Sequence, residues 1–176
     1  MNDKQNIWAP WRIQYIRAIG DENDAACFLC DAWAKPHEDE ARLVVHRNEH
    51  GMILLNRYPY TNGHLLVALA DHVPDLPQLD GGQRAALMDL TVLAERLLTA
   101  ALNPQGVNIG MNIGRCAGAG LPGHLHVHLV PRWNGDTNFM TVVGRVRVIP
   151  QALEQIHQEL VAALPKVLLS EVAEHE

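Results

Sequence analysis

Apolar residues recur along this chain in two rhythms, and the change of rhythm marks its elements. Arg42–His46 and Gly51–Asn56 are short apolar runs separated by Arg47-Asn48-Glu49-His50, which predicts two strands and a turn. Pro59 and Asn62-Gly63 punctuate the next connection. His64–Ala70, nearly all apolar, predicts a third strand. Leu79, Leu87, Leu90, Leu93, Leu97 and Leu98 then fall at helical spacing. With Asp80 as N-cap they predict one long helix from Gly81 or Gly82 to Leu102. Gln105–Asn112 and Leu125–Pro131 predict a fourth and a fifth strand. Residues 150–170 are apolar at helical spacing, with Pro165 expected to interrupt the helix. Strands grouped around one long helix predict an α+β domain, its sheet twisted, mainly antiparallel and of about five strands. No internal repeat or low-complexity segment is present.

The fifth strand carries the most informative pattern. In Gly123-His124-Leu125-His126-Val127-His128-Leu129-Val130-Pro131-Arg132, histidines alternate with apolar residues. A period of two places His124, His126 and His128 on one face and Leu125, Val127 and Leu129 on the other. A row of imidazoles serves no packing purpose. Imidazole is a nucleophile, an acid–base group and a metal ligand near neutral pH. The middle ring, His126, has a neighbour on each side and is the natural nucleophile. His128 can hydrogen-bond a phosphate oxygen or a leaving group, and His124, the third candidate catalytic ring, can fix the tautomer or serve elsewhere.

Composition narrows the partners. The 176 residues fit one domain, 1–176, with an aromatic arm at 1–22 (Trp8, Trp11, Tyr15). A net charge of −6 gives no global attraction for nucleic acid or an anionic membrane, so neither is expected as a partner. An anionic ligand must be held by local donors. The N-terminus lacks a signal-peptide pattern and no apolar run reaches a membrane span, so cytoplasm is the expectation. Cys27-Phe28-Leu29-Cys30 gives two thiols at a spacing that suits half a zinc site, a redox pair or two plain thiols. His37, His46, His50, His64, His72 and His124 are available to complete a site. Cys116 has no partner in sequence and reads as a small filler.

The histidine row matches at every position, through Val130, the His-φ-His-φ-His-φ-φ signature of the histidine-triad (HIT) superfamily, φ being apolar. Asn112-Ile113-Gly114-Arg115-Cys116-Ala117-Gly118 and Asn56-Arg57-Tyr58-Pro59-Tyr60-Thr61-Asn62-Gly63-His64 also resemble that family. The likeness covers 27–139. Trp8-Ala9-Pro10-Trp11-Arg12 and the tail from Trp133 to Met140 look most like the bacterial diadenosine-tetraphosphate phosphorylase-like branch.

The resemblance implies a twisted antiparallel sheet with a helix packed on it and a homodimer. It also implies cleavage of the α-phosphate of a nucleotide through a covalent nucleotidyl-histidine on His126. A dinucleoside polyphosphate is the substrate it suggests. No glutamine replaces His128, which argues against the uridylyltransferase branch. Residues carried over for nucleotide binding are Asn56 at the ribose, Asn112 at the α-phosphate and His64 near the phosphate path. Asn56 as a turn residue and His64 as a core residue stay open. Gly118, Gly120 and Gly123 line the loop into the triad, where glycines let backbone N–H groups approach phosphate. Several relatives place a serine three residues before the first triad histidine; this chain has Leu121 there. Zinc-bearing relatives imply a closed structural site made of Cys27, Cys30, His72 and His124. Arg57 and Arg132 suit phosphate or a surface acid equally.

Overall fold

The structure, a computed structural model, describes residues 27–137 and 149–174. The aromatic arm, the far end of the Trp133–Met140 tail and the last two residues lie outside them. Five strands form one sheet: β1 (Val44–Arg47), β2 (Gly51–Leu55), β3 (Leu65–Leu69), β4 (Gly106–Met111) and β5 (His126–Arg132). Their order is β1-β2-β3-β5-β4, every pair antiparallel. The helices are α1 (Phe28–Ala34), α2 (Gly81–Leu102) and α3 (Leu153–Glu174). The fold is thus the expected α+β arrangement.

Local chemistry explains the boundaries. Asp80 accepts from the Gln83 amide at 2.8 Å, and the Gln83 side chain accepts from the Asp80 amide at 2.9 Å. This reciprocal cap satisfies donors that the first turn of α2 would leave orphaned. Asn103, left-handed at φ 45°, closes the other end. β2 and β3 are buried along their whole length, as continuous apolar runs predict.

Pro165 does not interrupt α3, which runs for 22 residues through it. The carbonyl that loses its partner belongs to Val161, whose side chain is 40% exposed, so water can replace the missing amide. There are therefore two long helices, not one, over the sheet.

Register sorts the two faces. Leu65, Val67, Val127 and Leu129 point with Ile53 and Leu55 into the main core beneath α2 and α3. Met52, Leu54, Leu66 and Ala68 point the other way and pack with Leu29 and Ala32 of α1. His128 pairs with Leu66 and with Gly110, and His126 pairs with Ala68. Cross-strand partners share a face, so both histidines stand on the α1 side. The helix layer supplies stability on one face and leaves the other for chemistry.

Candidate active site

His126 and His128 share this face, with ring centroids 4.9 Å apart. His124 does not join them in the ladder. The strand begins at His126, and His124 lies in a bend before it. The Leu125 amide donates to the Val73 carbonyl at 2.6 Å, outside the ladder. The alternation of faces read from the sequence still holds, since Leu125 joins Val127 and Leu129 in the main core, but the hydrogen-bonded ladder stops short of His124.

Hydrogen bonds fix the proton positions. A carbonyl can only accept, so His126 Nδ1–H donates to the His124 carbonyl at 2.8 Å. Nε2 of His126 is left with a free lone pair, the requirement for a nucleophile. Burial holds the His126 pKa below the usual imidazole range, and the carbonyl only partly offsets it.

A second chain of bonds ends at His128. The Tyr60 amide donates to His64 Nδ1 at 3.1 Å, so His64 carries its proton on Nε2. That proton goes to His128 Nδ1 at 3.0 Å. Neutral His128 must then present Nε2–H; Asn112 Nδ2, 3.4 Å away, is also a donor, so the two make no bond to each other and both can donate to a ligand oxygen. Burial and neighbouring His126 push the His128 pKa down to about 4, so it stays neutral at neutral pH. Tyr60 stacks on the His128 ring, with centroids 5.9 Å apart and planes at 21°.

The carried-over residues divide. Asn112 reaches the His128 edge. His64 is 0% exposed and lies behind His128, so it meets no open space. Asn56 accepts from the Tyr58 amide at 2.9 Å and donates toward His64 at 3.3 Å, which is turn geometry. The Gly118 amide closes a turn on the Arg115 carbonyl at 3.0 Å and is spent. Its φ of 88° is what requires glycine. Gly120, Leu121 and Gly123 are the loop positions whose amides make no hydrogen bond among the described residues. Arg57 donates to the Ala41 carbonyl, and Arg132 pairs with Asp136. Cys116 is exposed rather than a filler.

The His124 ring points at the cysteines carried by α1, on the same side of the sheet as His126 and His128. Its Nε2–H donates to the Leu69 carbonyl at 3.0 Å, leaving the Nδ1 lone pair aimed at the thiols. Nδ1 lies 3.2 Å from Cys27 Sγ and 3.4 Å from Cys30 Sγ, and His72 Nδ1 lies 3.2 Å from Cys30 Sγ. All four ligand atoms fall within 4.8 Å of one another. Bond lengths of 2.0–2.3 Å around a tetrahedral zinc place ligand atoms roughly 3.3–3.8 Å apart. The donor set and its spacing fit that ion, and the cluster could hold a metal. As a free thiol Cys30 is pushed up to about 11, by burial first and then by Cys27. That discourages thiol redox chemistry without metal. Gly123 packs against this cluster: a Cβ there would meet His72 Nε2 at 3.1 Å.

Sequence reading missed two residues here. Arg47 donates to the Ala32 and Trp33 carbonyls at 3.2 Å, satisfying the last turn of α1. It also lies 5.3 Å from the Trp33 ring centre. Through it β1 anchors the helix that carries Cys27 and Cys30. Tyr60 is the other, four residues before His64. An aromatic in a turn beside a candidate histidine was the available signal.

Comparisons agree with this geometry. The HIT domain family pattern matches residues 38–135. The chain belongs to the HIT domain family. The AP-4-A phosphorylase of Mycobacterium tuberculosis is 39% identical over 160 residues, covering 89% of this chain and 82% of that protein. The asymmetrical bis(5'-nucleosyl)-tetraphosphatase of Schizosaccharomyces pombe is 29% identical over 93 residues, 53% of this chain and 50% of that protein. Among solved structures, a zinc-bound histidine triad family protein from Mycobacterium smegmatis superposes with a TM-score of 0.66 at 26% identity. It covers 82% of this chain and 97% of its own. This HIT protein is thereby similar, over most of its length, to an enzyme named for a dinucleoside polyphosphate.

Proposed function

We propose that this HIT protein cleaves dinucleoside polyphosphates at the α-phosphate through a nucleotidyl-histidine intermediate. The observation that carries the reading is the opposite tautomers of two adjacent rings, a free Nε2 on His126 and an Nε2–H on His128.

In the first step His126 Nε2 forms a bond to the α-phosphorus and the bond to the leaving polyphosphate oxygen breaks. The ring becomes cationic, and the His124 carbonyl on its Nδ1–H stabilises that charge, in the way a carboxylate orients the histidine of a hydrolase. His128 Nε2–H donates to the departing or a non-bridging oxygen. A polyphosphate leaves well without being protonated, so a neutral His128 suffices. Asn112 and the free loop amides at Gly120, Leu121 and Gly123 supply donors for the remaining oxygens. A second acceptor then takes the nucleotidyl group and restores the ring. Inorganic phosphate makes the protein a phosphorylase and water a hydrolase; the 39% relationship to AP-4-A phosphorylase favours phosphate.

We infer that zinc is the ion held by Cys27, Cys30, His72 and His124. It would be a closed site with no open coordination position, so its chemistry is to cross-link the chain. We also infer a homodimer, supported by β4 as the edge of the sheet among the described residues, on which Ile109 is 45% exposed. The unpaired thiols suit a cytoplasmic, reducing compartment.

The test is product analysis with diadenosine tetraphosphate, with and without inorganic phosphate, and quench of the protein in alkaline detergent during turnover. An acid-labile, base-stable adenylyl-protein that vanishes in His126→Ala is the expected result. Turnover with no trapped adenylyl group sinks the proposal.

A further inference from the structure

A groove leaves the active site along the seam of β4 and β5. Tyr60, Asn112, Gly110 and His128 line its near end, and Val130 and Asn108 its far end. Register sets the order, because Gly110 pairs with His128 and Asn108 with Val130. Successive same-face positions on a strand are about 7 Å apart. Asn108 therefore lies one step from His128, and Arg132 two steps, the reach of a short polyphosphate. A Cβ on Gly110 would meet nothing within 4 Å, so the floor opposite His128 is open.

The far end has a specific character. Arg132 Nη1–H donates to Asn108 Oδ1 at 2.9 Å. Guanidinium only donates, so this contact fixes the amide and leaves Asn108 Nδ2–H without a partner among the described residues. The Arg132 charge is answered by Asp136, which accepts from Nε at 2.6 Å and from Nη2 at 3.0 Å. The end of the groove thus offers hydrogen-bond donors beside an apolar Val130 and carries no net charge. Such a surface suits ribose hydroxyls and a base, not another phosphate.

We propose that this groove is the subsite for the leaving half of the substrate, and that Asn108 and Arg132 receive the second nucleoside at the end of the leaving polyphosphate. The subsite rests on the functional reading above and adds a basis for its specificity. A leaving chain capped by a neutral nucleoside finds partners there. The same chain ending in a bare phosphate finds a compensated ion pair.

Calorimetry in a His126→Ala background separates the halves without turnover. AMP fills only the attacked half; diadenosine tetraphosphate fills both. Asn108→Leu should weaken the tetraphosphate about three- to tenfold, the range for one lost hydrogen bond, and leave AMP within about twofold. Asn108→Asp keeps an acceptor for Arg132 but removes the free donor and adds an anion. It should weaken the tetraphosphate at least as much. Equal losses for both ligands, or none for the tetraphosphate, overturn the subsite. Failure of the wild type to cleave the tetraphosphate would overturn the functional reading instead, and the binding ratio would still decide the groove.

Discussion

Removing the zinc proposed for the Cys27, Cys30, His72 and His124 cluster is the perturbation with the largest expected readout. Cys27 and His124 are 97 positions apart in sequence, and their ligand atoms lie 3.2 Å apart. An ion bridging them closes a loop of nearly the length for which a cross-link contributes about 4–5 kcal/mol by restricting the unfolded chain. On a domain of this size each kcal/mol moves Tm by roughly 2–4 °C, so loss of the ion should lower Tm by roughly 8–20 °C. The reduced apo cluster gains nothing in exchange, its half-buried Cys30 thiol being protonated. The assay is thermal unfolding of the purified protein beside a chelator-treated sample, with metal content measured in both, followed by readdition of one equivalent of zinc. Cys30→Ser should reproduce the loss and resist rescue. A Tm unchanged to within about 3 °C after verified removal would refute the cross-link, since that is less than 2 kcal/mol on the same scale. A protein purified without metal would refute the site.

The remaining expectations concern the two catalytic rings. His126→Ala should abolish turnover while nucleotide affinity stays within about tenfold, or 1.4 kcal/mol, by titration calorimetry; retention of more than a few per cent of activity would remove His126 as nucleophile. His64→Phe fills the same buried space but breaks the bond to His128 Nδ1, so it should lower kcat more than it raises KM; equal effects on both would mean that His64 only packs. kcat/KM for a dinucleoside polyphosphate, which has no terminal phosphate to titrate, should be flat above pH 7 and fall only below the ordinary imidazole pKa of about 6.5. A midpoint at or above 7 would contradict the burial of His126. Stability should follow the same sense. Unfolded His128 takes its proton near pH 6.5 and the folded ring only near 4, so stability is lost as pH falls through that window, measurable by urea unfolding at pH 7 and pH 5.

How far the sequence could be read depends on the range of the physics involved. The α2 boundaries follow from residues within one turn, and Asp80 with Gln83 shows them directly. The alternation in β5 follows from strand period, so the side taken by His126 and His128 was legible. Where a contact spans the chain, the pattern carried no sign of it. Arg47 caps α1 across 14 and 15 positions. Nothing in Val44-Val45-His46-Arg47 distinguishes it from a surface arginine. Pro165 was misread for a related reason, because its local cost is outweighed by the packing of α3 on α2 and β1.

His124 shows why one alternation can serve two sites. A period of two predicts three rings on one face, and all three do face α1, yet the ladder can begin anywhere along the pattern. Here it begins at His126, because the Leu125 amide leaves the ladder for the Val73 carbonyl. The turn that results points the His124 ring at the cysteines while its carbonyl remains next to His126. One residue then makes three separate contacts: Nε2–H to Leu69, Nδ1 to the thiols, and its carbonyl to His126 Nδ1–H. The carbonyl contact fixes the tautomer of His126, the proposed nucleophile, and the two ring contacts fix the carbonyl. Holding the backbone at position 124 therefore orients the reacting nitrogen two residues away. A metal on that cluster would stiffen the start of β5 beside the proposed nucleophile, and would bear on turnover without any contact with substrate.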